Sequence, residues 1–221
     1  MKNLYLAVAV ISITSLHAQK ISVKNGSEKF SSGSQPALTT TIYEASMDDA
    51  QSKWKSVLKD LKNEKVKSSG NEIFGDNIVI KEWGNNPVDV YTTFEEDKKT
   101  KTVTMHVAFD LGGAYLKSSD DKYNYAEKMV KEFAIKTTKD AMGDKVKEQE
   151  KALGKLEDNQ KELEKENKNS KSDIESYKEK IKKAEEDIKK NEADQTKKKT
   201  EIEAQKKVVD DAKKVMDKVG G

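Results

Sequence analysis

Cysteine and arginine do not occur in this chain of 221 residues, and it has only two prolines and two histidines. Without cysteine, the chain cannot form disulfides, thiolate metal sites, a cysteine nucleophile or a lipid-modified N-terminal cysteine. Without arginine, it lacks the planar guanidinium that binds phosphate or guanine through two parallel hydrogen bonds. The 42 basic residues, all lysine, are nearly balanced by 40 acidic ones. The sequence therefore has no basic footprint for nucleic acid, and we expect no nucleic-acid partner.

The residues that carry most enzyme chemistry are scarce as well. His106 is the only histidine after residue 17, so zinc sites with several histidine or cysteine ligands lack essential parts, and a Ser-His-Asp triad has no other histidine to use. Gly112-Gly113 is followed neither by the Lys-Ser/Thr pair of a phosphate-binding loop nor by a third glycine. His106 and Asp110 share one face of a predicted strand, but two solvated surface residues are the simpler interpretation. We therefore expect no enzymatic activity, no catalytic residue, no metal and no cofactor.

The rest of the composition is unevenly distributed along the chain. Charged residues make up 37% and hydrophobic residues 34%, which is too polar for one compact domain of this length. Beyond residue 18, every aromatic residue except Tyr177 lies between Phe30 and Phe133. The sequence therefore predicts one aromatic core in that stretch and an elongated part with a narrow buried seam elsewhere.

Residues 1–18 have the features of a secretory signal peptide. Lys2 supplies the positive start, the stretch from Leu4 to Leu16 is largely apolar, and Ala18 precedes the predicted cleavage site. This apolar stretch is shorter than the roughly 20 residues that a membrane-spanning helix needs. The sequence thus predicts an exported protein, periplasmic or secreted, with no transmembrane segment in the mature chain. Residues 19–36 are rich in serine and glycine and are predicted to be a flexible lead-in, with room for one short edge strand at 21–23.

Residues 37–142 are predicted to form a small α+β domain with the element order βαβββα. Ser46 and Asp49 form an N-cap signature for the first helix, whose apolar residues recur at helical spacing. Alternating apolar and polar residues then predict three strands joined by short turns, followed by a second apolar helix. Two helices that cover one face of an antiparallel sheet make a two-layer sandwich. The predicted strands are 39–43, 73–83, 88–95 and 102–111, and the helices begin near 46 and near 120.

The opposite face of this sheet is predicted to carry Trp83, Tyr91 and His106, together with Val79. An uncovered aromatic face can bind a ligand or a protein partner, so Trp83, Tyr91 and His106 form the candidate binding face. The favoured alternative is that the N-terminal segment or the helical tail folds over the same face.

Residues 143–221 are predicted to be a long α-helical coiled coil. With Leu153 at heptad position a, most a and d positions are apolar, few other positions are, and the phase never shifts. This pattern predicts a left-handed supercoil. It needs a partner helix, because i,i+4 Glu–Lys pairs within one helix contribute only about 0.2–0.5 kcal/mol each. The predicted seam consists of Leu153, Leu156, Leu163, Ile174, Tyr177, Ile181, Ile188, Ile202 and Val209.

The charges that flank the seam favour a parallel homodimer. In a parallel pair, each g residue meets the e residue of the next heptad on the other chain. Most of these pairs are attractive here, for example Glu166 with Lys171. β-branched residues at position a, and Asn167 within the seam, favour the same arrangement.

The alternative for this tail is an intramolecular helical hairpin that turns at 167–172. Ser172 and Glu175 form a capping box that could start a second helix there. The heptad phase crosses the proposed turn unbroken, and no glycine or proline occurs between Lys155 and Val219. The continuous helix is therefore favoured.

The most distinctive short stretch of the chain is Phe109-Asp110-Leu111-Gly112-Gly113-Ala114-Tyr115-Leu116. The chain as a whole resembles uncharacterised exported bacterial proteins that join a signal peptide, a small α+β domain and a C-terminal Lys/Glu-rich coiled coil. The resemblance implies this layout and no particular activity.

Three functions are open at this point. The first is a non-enzymatic cell-envelope protein whose coiled coil assembles the molecule and presents the α+β domains to an unknown envelope partner. The second is a periplasmic holdase similar to the coiled-coil chaperones, although their basic cavity and hairpin arms differ from this neutral tail. The third is a small-molecule-binding domain or hydrolase that uses the open sheet face.

Overall fold

The computed structural model describes residues 20–61 and 65–219, which contain six β-strands, two α-helices and one short 3₁₀ helix. The signal peptide predicted for 1–18 lies outside the described residues. The elements are β1 (Lys24–Phe30), β2 (Gly33–Tyr43), α1 (Met47–Asp60), β3 (Val66–Ser69), β4 (Glu72–Ile78), a short 3₁₀ helix (Lys81–Trp83), β5 (Val88–Asp97), β6 (Thr102–Asp110) and α2 (Tyr123–Lys218). The strands form one antiparallel sheet in the order β1-β2-β6-β5-β4-β3, so β1 and β3 are its edges.

Helix α1 begins where the sequence predicts. Ser46 is its N-cap, and the side-chain oxygen of Ser46 accepts a 3.2 Å hydrogen bond from the backbone N–H of Asp49. This bond satisfies one of the amides that a helix leaves unpaired at its start. The buried residues of α1 are Ala50, Trp54 and Leu58, spaced four apart along one face of the helix.

The main core lies between one face of the sheet and the two helices. On the sheet, Phe94 and Met105 are almost entirely buried. From the helices, Trp54 of α1 and Phe133 of α2 meet edge to face, with ring centroids 4.8 Å apart. Both helices therefore contribute to the same core, and the predicted α+β class is confirmed.

The element order is ββαββββα, so the predicted order βαβββα lacks two strands. Part of the predicted flexible lead-in, 19–36, is β1 and the start of β2, which pair in register from Lys24↔Thr39 to Phe30↔Gly33. Backbone pairing orders this segment although only Phe30 of β1 is buried. The other missed strand, β3, is a four-residue edge strand with one buried side chain, Val66. Neither β1 nor β3 has the alternation of apolar and polar residues by which strands are recognised in a sequence.

Strand β4 ends at Ile78, not at the predicted residue 83. Its register with β5 shifts between Gly75 and Ile78. Asn77 adopts a left-handed φ of 55°, and its backbone N–H donates to Asp89 Oδ1 at 2.8 Å. Gly75 permits this irregularity, because a Cβ atom there would lie 2.9 Å from Ile78 Cγ1. The chain then turns through the 3₁₀ helix, so strand alternation does not extend to Trp83.

Helix α2 is a single helix of 96 residues that runs through 167–172 without a break. The helical hairpin considered for this tail is therefore not the conformation of the chain. The buried residues of α2 all lie between Tyr123 and Thr138. One compact unit of the protein ends at Glu150 and a second begins at Lys151. In the second unit, the described residues apart from Gly154 are all exposed.

Candidate functional site

The sheet face opposite the helices carries two of the three residues predicted for it. Tyr91 of β5 and His106 of β6 lie on this face, where β5 and β6 pair Thr93 with His106 and Tyr91 with Ala108. Trp83 does not. Its side chain is buried in the main core, where its ring centroid lies 5.2 Å from that of Phe109. The prediction for Trp83 is wrong because β4 ends before it.

Tyr91 is the centre of an aromatic cluster of Phe30, Phe74, Tyr91 and Tyr115. The ring centroids of the other three residues lie 6.3, 4.7 and 6.3 Å from that of Tyr91, in that order. Phe74 was detectable in the sequence, because it alternates with the buried Ile73 and so points to the same face as Tyr91. Phe30 had no such signal, since it ends a mostly polar strand.

Tyr115 reaches the cluster through the Gly112-Gly113 turn. Asp110 Oδ1 accepts hydrogen bonds from the backbone N–H groups of Gly112 and Gly113 at 3.0 and 2.9 Å. Both glycines have positive φ, 96° and 111°, which residues with a Cβ rarely adopt. The turn brings Tyr115 back to form a β-bridge with Asp110. The distinctive stretch 109–116 therefore shapes the edge of the aromatic cluster, with Asp110 used in the turn.

The tip of the β1–β2 hairpin covers part of this face. Ser31 donates to the carboxylate of Glu72 on β4 from its backbone N–H at 2.8 Å and from its hydroxyl at 2.5 Å. The hydroxyl of Tyr115 donates to Ser32 Oγ at 3.0 Å. Phe30 is buried beneath the tip with Ala37 and Ala108. The expectation that the N-terminal segment folds over the aromatic face is confirmed for this part of it.

His106 joins three strands on the same face. Its Nδ1 lies 2.9 Å from Thr39 Oγ1 of β2 and 3.7 Å from Glu28 Oε2 of β1. A catalytic triad places its nucleophile and its carboxylate on opposite ring nitrogens, whereas both partners here address the same one. The geometry of His106 is therefore that of a strand-to-strand contact.

Burial in the aromatic cluster also affects ionisation. It raises the pKa of the Tyr91 phenol, and the nearby Tyr115 and Asp89 act in the same direction. Next to Tyr91 on the same face of the sheet, the hydroxyl of Thr93 is buried and has no hydrogen-bond partner among the described residues. Within residues 20–61 and 65–219, no cluster of three His, Cys, Asp or Glu side chains has an arrangement suited to a metal ion.

The second candidate site is the exposed seam of α2. All nine residues predicted for it lie in the described part of the helix, and each side chain is between 40% and 62% exposed. They are Leu153, Leu156, Leu163, Ile174, Tyr177, Ile181, Ile188, Ile202 and Val209. The structure therefore leaves these apolar side chains exposed in one heptad phase, with polar seam positions such as Gln160, Asn167 and Gln195 between them.

Interactions within α2 contribute little compared with burial of this seam. The helix has exposed ion pairs at i,i+3 spacing, such as Glu175–Lys178 at 2.8 Å and Asp211–Lys214 at 3.1 Å. Each contributes about 0.2–0.5 kcal/mol to helix stability. Burying the exposed half of one isoleucine side chain contributes about 1 kcal/mol. Burial of one seam isoleucine would therefore stabilise residues 151–219 more than any one of these ion pairs does.

Comparison of the chain with protein-family models, with curated proteins and with solved structures found no match. Within the described ranges, the chain forms no helix with the length and apolar character that crossing a membrane requires.

Proposed function

We propose that this protein is a non-enzymatic, exported cell-envelope protein that assembles through α2. Two copies pair along the α2 seam, parallel and in register, and present their α+β domains to another envelope component. The exposed seam is the observation that carries the proposal, because its apolar residues keep one heptad phase from Leu153 to Val209. If one helix were displaced by two heptads along the other, or rotated out of the heptad phase, some isoleucines would remain in water. Pairing in register therefore buries the most apolar surface.

The charges beside the seam support the parallel orientation. In a parallel pair, attractive g–e contacts form at five positions, and Asp187 with Glu192 is the one repulsive contact. Each exposed contact contributes little to stability, but the set distinguishes one orientation from the other. The attractive pairs are Glu166–Lys171, Asp173–Lys178, Lys180–Glu185, Asp194–Lys199 and Glu201–Lys206.

Export and the envelope location rest on the signal-peptide features of residues 1–18. The helical part of each chain from Lys151 to Lys218 has a length of roughly 100 Å at 1.5 Å per residue. A rod of that length suits a spacer or scaffold better than it suits a catalytic module. The partner of the α+β domain is an envelope protein of unknown identity.

Sedimentation equilibrium of the chain from residue 20 onward tests the proposal. We expect association into dimers or larger assemblies for the wild type and a monomer for Ile181→Asp, which places a charge at position a. Ser172→Asp is the matched control, because it adds the same charge at position f, outside the seam, and should associate as the wild type does. A monomeric wild type at micromolar concentration would overturn the assembly that the proposal requires.

A further inference from the structure

The last two heptads of α2 have a wider apolar stripe than the rest of the seam. Residues 206–212 and 213–219 repeat one pattern, Lys-Lys-Val-Val-Asp-Asp-Ala and Lys-Lys-Val-Met-Asp-Lys-Val. In both repeats, position g is valine in addition to the apolar a and d positions. These g residues, Val208 and Val215, are 59% and 63% exposed. We call the residues at g, a and d of these two heptads the C-terminal stripe: Val208, Val209, Ala212, Val215, Met216 and Val219.

The width of an apolar stripe indicates how many helices cover it. A stripe confined to a and d fits one partner helix, whereas a stripe that also includes g is typical of helices packed in a larger bundle. In the middle of α2, the g positions are charged, as at Asp173, Lys180 and Asp187. A single partner covers a and d there, but in the C-terminal stripe it would leave Val208 and Val215 at the flank of the seam.

We propose that the C-terminal stripe binds a second pair of α2 helices, so that four chains form a parallel bundle over residues 206–219. This inference rests on the proposed pairing of α2 and adds a second level of assembly to it. The bundle would extend over the two heptads, about 20 Å of helix. Upstream of it, the charged g positions keep the chains in two separate pairs. The protein then presents four α+β domains instead of two.

Charges at the two edges of the C-terminal stripe support a parallel bundle of copies of this chain. Position e, at one edge, is Lys206 and Lys213, and position c, at the other edge, is Asp211 in the first repeat. Parallel neighbours place the e edge of one helix against the c edge of the next, which brings Lys213 close to Asp211. Antiparallel neighbours would place the lysine-bearing edges against each other, and like charges repel.

A membrane surface fits the C-terminal stripe less well. Helices that lie in a membrane interface have an apolar face with tryptophan, phenylalanine or leucine and a polar face rich in lysine or arginine. The C-terminal stripe contains only valine, alanine and methionine, and its polar side mixes five lysines with Asp210, Asp211 and Asp217. Small β-branched residues and mixed charges suit close packing between helices.

The test compares the wild-type chain from residue 20 with Val208→Glu/Val215→Glu by sedimentation equilibrium. The carboxylate that Val208→Glu introduces would face Lys213 of the paired chain, so this variant keeps the dimer while it places charge in the bundle core. We expect a tetramer for the wild type and a dimer for the variant, with the dimer–tetramer Kd raised about 100-fold or more. The control Thr200→Glu/Ala204→Glu adds the same charge at positions f and c and should remain tetrameric.

The outcomes separate this inference from the proposed function. A wild-type dimer that the valine substitutions leave unchanged overturns the bundle and keeps the pairing of α2. A wild-type monomer overturns both. A tetramer that survives Val208→Glu/Val215→Glu shows that the C-terminal stripe is not its interface. The last measurement is co-sedimentation of the wild type and the valine variant with anionic phospholipid vesicles. If the wild type is a dimer and binds the vesicles while the variant does not, the C-terminal stripe binds a membrane surface and the bundle is overturned.

Discussion

The indole N–H of Trp54 donates a 2.8 Å hydrogen bond to the hydroxyl oxygen of Thr92 inside the main core. Thr93, the next residue of β5, faces the opposite side of the sheet, where its buried hydroxyl has no partner among the described residues. Of these two adjacent, buried threonines, only Thr92 therefore has a hydroxyl with a hydrogen-bond partner.

This difference predicts that the same substitution, threonine to valine, destabilises the domain at position 92 but not at position 93. Thr92→Val leaves the indole N–H of Trp54 buried and unpaired, and should lower the free energy of unfolding by about 1–3 kcal/mol. Thr93→Val removes a hydroxyl that already lacks a partner, so stability should stay within about 0.5 kcal/mol or rise. Urea unfolding followed by tryptophan fluorescence measures both, since Trp54 and Trp83 lie in the α+β domain. Equal destabilisation by the two substitutions would contradict the assigned hydrogen bonding.

The N-cap of α1 gives a second stability prediction. Ser46→Ala removes the acceptor of the Asp49 backbone N–H and should destabilise the α+β domain by about 1 kcal/mol. Ser52→Ala, at an exposed position within α1, removes a hydroxyl without a capping role and should be neutral or slightly stabilising. The same urea titration compares the two, and a neutral Ser46→Ala would show that the cap contributes nothing.

Three tyrosines that are partly or fully buried predict a loss of stability in alkali. Burial raises the pKa of Tyr91, and it raises the pKa of Tyr123 and Tyr125 as well. The folded state thus favours the neutral phenol, while an unfolded tyrosine ionises near pH 10. The associated stability is fully present below about pH 10 and is lost as the pH rises towards the folded-state pKa.

Tyr91→Phe isolates the share of one residue in this effect. Lysine deprotonation affects the wild type and the variant alike, so the comparison cancels it. Between about pH 9 and about pH 11, the variant should lose less free energy of unfolding than the wild type. An identical loss in the two proteins would show that Tyr91 ionises as freely in the folded state as in the unfolded chain.

The single repulsive contact in the proposed dimer can be reversed. Glu192→Lys would turn the Asp187–Glu192 repulsion into an attraction on both sides of a parallel dimer. Glu203→Lys makes the same charge change at position b, outside the interface, and also adds a lysine near others on its own helix. At low salt, Glu192→Lys should be more stable than Glu203→Lys by about 0.5–2 kcal/mol in thermal unfolding followed by circular dichroism. If the two variants are equally stable, or if added salt does not reduce the difference in their stability, the result would argue against the parallel register.

Features with a local cause were predictable from the sequence. Ser46 and Asp49 define the start of α1 because an N-cap involves residues three apart. Strand alternation placed Tyr91 and His106 on the same sheet face, and the heptad repeat identified the apolar stripe of α2. Each of these patterns is contained within a few neighbouring residues, so no knowledge of the fold is required.

Features that depend on distant partners were not predictable in this way. Strand β1 is ordered by backbone pairing with β2 and by the contact of Ser31 with Glu72, 41 residues away. The burial of Trp83 depends on the register shift near Gly75, which no alternation pattern reveals. The aromatic cluster was missed for the same reason, since Phe30 and Tyr115 reach it through turns.

The hydrogen bonds of Ser31 to Glu72 have a consequence for the N-terminal boundary of the folded domain. A chain that starts at residue 37 would lack β1 and the tip of the β1–β2 hairpin. The rings of Phe74 and Tyr91 would then be more exposed to water, and β2 would become an unprotected edge strand. An unprotected edge strand beside an uncovered aromatic surface is a template for pairing between molecules. Such a truncated protein should precipitate, although both helices and every fully buried hydrophobic residue of the helix-facing core would still be present.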